Sequence, residues 1–388
     1  MKIILLSFSD HLGGASMAAY SIFKSMKKKN SFFLTAYSKF KDTHEIFNIF
    51  DKIYINILRM IEKIIIILLN KKKNHQSLNI FDTNIYKKIK RIKPDIINLH
   101  WINRSMISLK ELNKISSKVI VSLHDMWFLN PTEHYSETKK YRHNFLDNYC
   151  WREKKKFIYK KNTFFIAHNK WMQNQFTKTF PKLKNKIYLS KYYPINCKLF
   201  KPRNKILLRK KFKLPENKII ILYSAQDIND KRKGYIYYKK VLNRLSKNKK
   251  LFFLSLGNSN LKIDNYKNYR HYDYLPNKKS AELYSLSDIY LCTSLIDNLP
   301  LTILEALSSG NLVVSFDNGG ASEILKQTGY IFKKKELQKL INFLNNIKDS
   351  QIKKKSILSR KFSLKNFNQL NTRKYYSRIF SQIEKQQI

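Results

Sequence analysis

Short runs that are apolar at nearly every position alternate along this chain with longer stretches in which apolar residues recur every three or four positions. In the first half the short runs are Lys2–Phe8, Asp95–Leu99, Val119–Leu123 and Phe164–Ala167. A strand covered on both faces has no solvent side to mark with polar residues, so these runs predict a parallel sheet between helices. Ala15–Lys29, with Met17, Tyr20, Ile22, Phe23 and Met26 near one face, and Ile53–Leu69 are the expected helices. A second series follows, with strands at Lys218–Tyr223, Leu251–Leu256, Asp288–Cys292 and Leu312–Phe316, and helices at Tyr235–Leu245, Ser280–Ser287 and Leu301–Ser308. Strand–helix alternation of this kind predicts an α/β protein of two doubly wound units. Pro181 to Pro215 mixes prolines with Lys and Asn and includes Tyr193-Pro194-Ile195-Asn196, a connection between units. The expected domains are 1–194 and 195–371. The tail from Leu364 reads as one or two helices with a stripe of Tyr375, Tyr376, Ile379 and Phe380, and its last part, about 372–388, should pack back on the first domain.

Composition narrows the class. The chain has 388 residues, room for two domains, and 43% are hydrophobic, which excludes a disordered basic tail. There are 76 basic and 27 acidic residues, for a net charge of +49. The excess is spread in groups such as Lys27–Lys29, Lys71–Lys73 and Lys353–Lys355, whereas a nucleic-acid site would concentrate it on one face. No nucleic-acid partner is expected, but attraction to anionic membrane surfaces is. The three cysteines include no CxxC pair, which argues against a disulfide framework or a cysteine zinc site and fits a reducing compartment. The start lacks the pattern of a signal peptide, and Arg59, Glu62 and Lys63 interrupt the apolar window Ile53–Leu69, so no membrane span is predicted.

Only 8 glycines occur, against roughly 27 at average usage, so each retained glycine points to a need. Gly13 and Gly14 lie between the first strand and first helix, where backbone N–H groups can approach a ligand and the helix N-terminus favours an anion. The spacing is not GxGxxG, which argues against a nicotinamide fingerprint, and a plain tight turn is the alternative. Ser122–Trp127 carries His124 and Asp125 to the carboxyl edge of a strand, and His100-Trp101 ends the neighbouring run. Such histidines can bond a sugar hydroxyl or phosphate oxygen, although a lone histidine is more often structural. His100, Asp125, Trp127 and His134 are candidates for the acceptor side, with Tyr135 following. Arg232 and Lys233, before Gly234, sit where a phosphate would meet a helix N-terminus.

The densest segment is Asp297-Asn298-Leu299-Pro300-Leu301-Thr302-Ile303-Leu304-Glu305, with a helix closed by Gly310. Backbone amides from Asn298 to Leu301 can cap a diphosphate, Asp297 can hold sugar hydroxyls, and Glu305 can accept from a ribose diol. A helix cap and a solvated helix charge are the plainer alternatives. Gly319-Gly320 and Glu323 beyond the next strand are expected to support the site from behind, with simple shaping of the turn as the alternative for Gly320 and Glu323, and Ala281–Asp288 reads as packing.

Taken in order, Gly-Gly-Ala, Leu-His-Asp-Met-Trp, Arg-Lys-Gly and acid-x7-Glu with its trailing glycine resemble the group 1, or family 4, retaining glycosyltransferases. These have the GT-B fold, two Rossmann-like domains facing each other across a cleft, and the nearest likeness is to bacterial enzymes of surface polysaccharide (lipopolysaccharide, O-antigen, capsule) synthesis. The resemblance implies a retaining hexosyltransferase-type enzyme using a nucleoside diphosphate sugar and a glycan or lipid-linked saccharide acceptor. It assigns Asp297 to the sugar, Glu305 to the ribose, Arg232 and Lys233 to the leaving diphosphate, Gly13-Gly14 to the diphosphate from the other domain, and His124 to the donor sugar. Departures are the shorter first acid, Asp297 in place of Glu, and only Cys150 where some relatives have paired cysteines. An arginine common in the family near Ala225-Gln226 is also missing. No Asp-x-Asp pair occurs, so metal-independent transfer with no cofactor is expected, in the cytoplasm at the inner face of the membrane. A sugar-nucleotide epimerase of the same fold and a non-catalytic RNA- or membrane-binding protein are the alternatives.

Overall fold

The computed structural model describes residues 1–26, 30–69, 75–135, 144–259 and 266–386. They form two compact α/β units, Met1–Tyr193 joined by the chain from Thr372 on, and Pro194–Asn371. The first has seven strands: β1 (Ile3–Ser9), β2 (Ser31–Tyr37), β3 (His44–Glu45), β4 (Ile96–Leu99), β5 (Lys118–Ser122), β6 (Thr163–Ala167) and β7 (Ile187–Leu189). Their order is β3-β2-β1-β4-β5-β6-β7, all parallel. The second has β8 (Ile219–Asp227), β9 (Leu251–Asn258), β10 (Tyr269–Tyr272), β11 (Ile289–Cys292), β12 (Leu312–Phe316) and β13 (Gly329–Phe332). Their order is β10-β9-β8-β11-β12-β13, again parallel.

Each sheet begins in its middle. β1 lies between β2 and β4, and β8 between β9 and β11, so the strand order reverses there and a crevice opens at the carboxyl ends. The loops that follow β1, β4, β8 and β11 are therefore the ones placed to meet a ligand. All seven residues of β1 and all of β4, β6, β11 and β12 are buried, which explains why they read as unbroken apolar runs.

The helices Tyr235–Leu245 and Leu301–Ser308 and the strand Leu312–Phe316 have the expected bounds. The first helix spans Gly14–Met26, and the remaining expected positions 27–29 lie outside the described residues. Strands β2, β3, β7, β10 and β13 were not expected. The helix anticipated at Ile53–Leu69 starts one turn earlier, at Ile49. Its start is set by Asn48 and Asp51, each side chain accepting the other's backbone N–H at 2.8 Å. This helix buries Ile55, Leu58 and Glu62, and its opposite face is apolar too, with Phe50 77%, Ile57 50%, Ile64 54% and Ile67 72% exposed.

Candidate functional site

In the second unit the site grows from a close approach of two loops. Gly234 has φ 70°, and a Cβ there would lie 2.0 Å from the carbonyl oxygen of Thr293, so only glycine lets the loop after β8 meet the loop after β11. Thr293 Oγ1 donates to the Gly234 carbonyl at 2.8 Å, and Leu295 N donates to the Arg232 carbonyl at 2.8 Å. Asp230 starts the turn by accepting from Arg232 N at 2.9 Å. These contacts deliver both cations to one acid: Lys233 Nζ lies 2.6 Å and an Arg232 guanidinium nitrogen 3.1 Å from the same oxygen of Asp297. Arg232 also pairs with Asp230 at 3.2 Å.

Asp297 is 6% exposed. Burial alone would raise its pKa, but the charges of Lys233 and Arg232 and their hydrogen bonds outweigh it and hold the carboxyl below the usual carboxylate range. Its backbone is braced from the loop after β12. Asp297 N donates to Asn318 O at 2.8 Å, and Gly320 N donates to Asp297 O at 3.1 Å. Asn298, Leu299 and Pro300 are buried behind it, and the helix starting at Leu301 has no side-chain cap, so its first amides face whatever occupies the loop.

Glu305 lies four residues after Leu301, on the same face of that helix. Burial pushes its carboxyl pKa up to about 8, against a hydrogen bond from Tyr284 that works the other way. The Tyr284 hydroxyl also meets Ser224 Oγ at 2.7 Å, and Tyr290 donates to Ser224 O at 3.1 Å. Tyr284 belongs to the segment read from sequence as packing. Nothing in its helical spacing shows that its hydroxyl would reach an acid 21 positions later.

The first unit presents a different chemistry at its carboxyl edge. Adjacent strands β4, β5 and β6 end in His100, His124 and His168, all buried. His100 Nδ1 and His124 Nε2 are 2.8 Å apart, His124 Nδ1 is 3.0 Å from the Tyr193 hydroxyl, and His168 Nδ1 is 2.8 Å from Ser190 Oγ. The His168 and Tyr193 rings lie 4.4 Å apart, and Tyr376 from the C-terminal helix adds a third ring. Burial takes the His124 pKa down to about 4 despite the charge of Asp125. His100 and His168 are pushed well below the histidine value by burial and then by their histidine neighbours. All three are neutral at pH 7. His168 was missed, although the strand Phe164–Ala167 runs into it in the sequence, as the neighbouring strands run into His100 and His124.

Asp125 turns away from this cluster to His134 Nδ1 at 2.6 Å and Trp101 Nε1 at 3.0 Å. His134 is 7% exposed and its other ring nitrogen meets Ser77 Oγ at 2.9 Å. Trp127 is 1% exposed, donates to Ser77 O at 2.8 Å and has Lys154 Nζ 3.5 Å from its ring centre. Trp127 and His134, expected on the acceptor side, are thus both packed into the interior, where they fix the loop's shape. Lys154 itself is buried, donates to the carbonyls of Trp127 and Asn130 at 2.7 and 3.0 Å, and has its pKa well below the lysine value because of that burial.

Gly13 has φ 89° and leads into the helix Gly14–Met26, with Met17 N donating to Gly13 O at 3.1 Å. The preceding Asp10, not singled out from sequence, is fully buried and holds the loop to residues 39–43. It accepts from Thr43 Oγ1 at 2.7 Å and from the N–H groups of Lys39 and Phe40 at 3.0 Å. Burial opposes its ionisation, but these bonds and His11 lower its pKa. Among the described residues, no group of three or more His, Cys, Asp or Glu is placed to hold a metal ion.

Residues 204–361 match the family model of the glycosyl transferases group 1. A 129-residue stretch is 30% identical to glycogen synthase of Bacillus licheniformis; it is 31% of this chain and 27% of that enzyme, so the chain spans about a quarter of that relative's length. Over the whole chain the fold is similar to Anabaena HepE solved with UDP and glucose, at 17% identity and a TM-score of 0.70, covering 98% of this chain and 99% of that one. It is similar as well to sucrose-phosphate synthase of Thermosynechococcus elongatus, at 11% identity and a TM-score of 0.71, with 99% of each chain covered. A third similar structure is WaaG, a glycosyltransferase involved in lipopolysaccharide biosynthesis, at 12% identity and a TM-score of 0.64, covering 96% of this chain and 98% of that one. The fold is thus that of the GT-B glycosyltransferases, and residues 204–361 of the second unit match the glycosyl transferases group 1 model.

Proposed function

We propose that this protein is a retaining, metal-independent family 4 hexosyltransferase. It moves a sugar from a nucleoside diphosphate sugar to a glycan or lipid-linked saccharide in bacterial cell-surface polysaccharide synthesis. The observation that carries the reading is the convergence of Arg232, Lys233 and Asp297 where the second sheet reverses its strand order, with Glu305 on the helix that follows the same loop. The hard part of glycosyl transfer is stabilising the departing diphosphate, and two fixed cations beside an uncapped helix N-terminus supply that stabilisation. Asp230 and Asp297 neutralise the two cations. An arriving diphosphate competes for Arg232 and Lys233 and frees the Asp297 carboxylate to accept from sugar hydroxyls. Glu305, with Tyr284 beside it, accepts from the ribose diol once it has lost its proton. His124, neutral at working pH, hydrogen-bonds the transferred sugar, and an oxygen of the leaving phosphate takes the acceptor's proton on the face the sugar leaves. HepE was solved with UDP and glucose, and that complex favours a uridine nucleotide as the first donor to try.

The test is incubation with a panel of nucleotide sugars and membrane lipid extract. Nucleoside diphosphate should appear only when both donor and acceptor are present, and NMR should show the anomeric configuration of the donor kept in the product. Release that needs no acceptor and yields an altered free sugar would point to an epimerase instead.

A place on an anionic membrane, at the inner face, completes the reading. No helix among the described residues is long and apolar enough to cross a bilayer. The helix Ile49–Leu69 instead keeps one apolar face against the protein and turns the other outward. At 100° per residue Phe50, Ile53, Ile57, Met60, Ile64 and Ile67 fall within one arc opposite the buried Ile55. Beside its start lies Ile85–Ile92, which with Lys93 carries Lys87, Lys88, Lys90 and Arg91 and no acid, and Lys88 pairs with Asp51. A helix lying in the plane of an acidic bilayer has this combination of apolar face and basic flank. Flotation with phosphatidylglycerol vesicles should carry the protein upward, and Ile57→Glu with Ile64→Glu should abolish it. Equal flotation of the variant would remove the helix from the account.

A further inference from the structure

Two arginines at the carboxyl edge of the first sheet are unused by the site above. Arg59 rides on the helix Ile49–Leu69 and Arg104 lies in the turn after β4. Their guanidinium carbons stand 5.5 and 5.3 Å from the centre of the same ring, that of Phe8 at the end of β1, and Arg104 is also 5.4 Å from the ring of Trp101. Phe8 N donates to Trp101 O at 2.7 Å, so both rings belong to the place where this sheet reverses its strand order. Parallel open sheets take their ligands there.

A surplus of 49 positive charges leaves many lysines without acids, and the arginines divide between paired and unpaired ones. Only 13 of the 76 basic residues are arginine. Arg209 and Arg232 end on carboxylates, and Arg203 and Arg360 on backbone carbonyls. Among the described residues neither Arg59 nor Arg104 makes an ion pair, and Arg59 donates only sideways, to Asn56 Oδ1 at 2.9 Å. The nearby acids are committed elsewhere: Asp125 to His134 and Trp101, and Glu62 to the backbone N–H of Ile80. Partial burial, and after it the charge of Arg59, lower the pKa of Arg104, whose side chain still reaches solvent, while Arg59 is half-buried. Arg104 and Ser105 further hold φ of 62° and 56°, a left-handed backbone that side chains disfavour and that clusters at ligand sites.

We propose that Arg59 and Arg104, over Phe8 and beside Trp101, form a binding site for a phosphate group of the acceptor. One carboxylate fills one guanidinium fork, whereas a tetrahedral phosphate has oxygens enough for two forks arriving from different elements. The assignment of that phosphate to the acceptor rests on the transfer reading; the anion site does not.

The test is a titration of inorganic phosphate into the full-length protein labelled with ¹⁵N-arginine, following the Nε–H resonances. Arg59→Gln and Arg104→Gln identify the two signals by their loss, and an unchanged amide spectrum elsewhere verifies the fold. Arg59→Lys and Arg104→Lys serve if a glutamine variant fails to fold. The two signals should move together, and each single variant should weaken the response of the remaining arginine about tenfold or more. Dihexanoyl phosphatidic acid distinguishes the sources. Tighter binding than inorganic phosphate places the group on a lipid, equal binding places it on a soluble sugar, and both support the site. Acetate acting as strongly as phosphate would overturn the phosphate assignment. A titration that moves only Arg232 would overturn the site while leaving the transfer reading intact. Absence of acceptor-dependent transfer with Arg59 and Arg104 responding would overturn the transfer reading alone.

Discussion

At the carboxyl edge of the second sheet the candidate groups are charged and compensated, Arg232 and Lys233 against Asp230 and Asp297. At the same edge of the first sheet, His100, His124 and His168 are stripped of water and neutral, and the carboxylate nearest to them in sequence, Asp125, points at His134 instead. One sheet plan therefore carries two electrostatic designs. Charge suits a site that must hold a diphosphate and let it leave negative. Neutral imidazoles suit a site that must bond hydroxyls without attracting the anion away.

The largest expected effect comes from breaking the charged side. Arg232→Met with Lys233→Met should lower transfer by roughly a thousandfold or more, since single oxyanion stabilisers already contribute about 10²–10³, and steady-state release of nucleoside diphosphate reads it. The double variant also leaves Asp297 buried without cations, so adding Asp297→Asn should recover heat stability but no activity. On the neutral side, His124→Ala should cost about 10- to 100-fold in kcat, with the affinity for the free nucleoside diphosphate unchanged.

The two units should answer pH with opposite sign. Histidines with depressed pKa bind fewer protons folded than unfolded, so stability in the first unit is present above about pH 6.5 and is lost as pH falls toward 4. Glu305, raised to about 8, binds more protons folded than unfolded, so its contribution is favourable at low pH and is lost as pH rises from about 4.3 toward 8. Scanning calorimetry across pH 4 to 9 should show this, and Glu305→Gln should remove the high-pH loss in the second unit, raising its transition by about 2 °C or more at pH 8. A Glu305→Gln protein that tracks the wild type at every pH would contradict the assignment. An effect of similar size, but on stability alone, concerns the interior of the first unit. Lys154→Met strands the carbonyls of Trp127 and Asn130 and should lower its transition by a few degrees, about 1–3 kcal/mol for unmade buried bonds, with donor binding untouched.

Much of the architecture was legible because the central strands are buried on both faces. Leu312–Phe316 is five apolar or small residues between turn signals, and its bounds follow from the run itself. Tyr269–Tyr272 is a sheet edge with Arg and His on it, and only pairing with β9 makes it a strand. The same division holds for the site. Arg232, Lys233, Asp297 and Glu305 were visible as scarce or well-placed residues in loops after strands. Their meeting, 64 residues apart in the case of Lys233 and Asp297, depends on Gly234 fitting under Thr293, a contact no local pattern encodes. Tyr284 and Asp10 were hidden because a helix position and a turn acid look the same whatever their side chains touch. His168 had a readable signal, three successive central strands each running into a histidine.

The central claim is that Arg232 and Lys233 hold the donor's diphosphate. Calorimetric titration of UDP, GDP and ADP into the wild type, Arg232→Met/Lys233→Met and His124→Ala tests it most directly. One of the three nucleotides should bind the wild type and His124→Ala alike, and bind the double variant about 100-fold more weakly or beyond detection. Equal affinity for the double variant and the wild type would contradict the account.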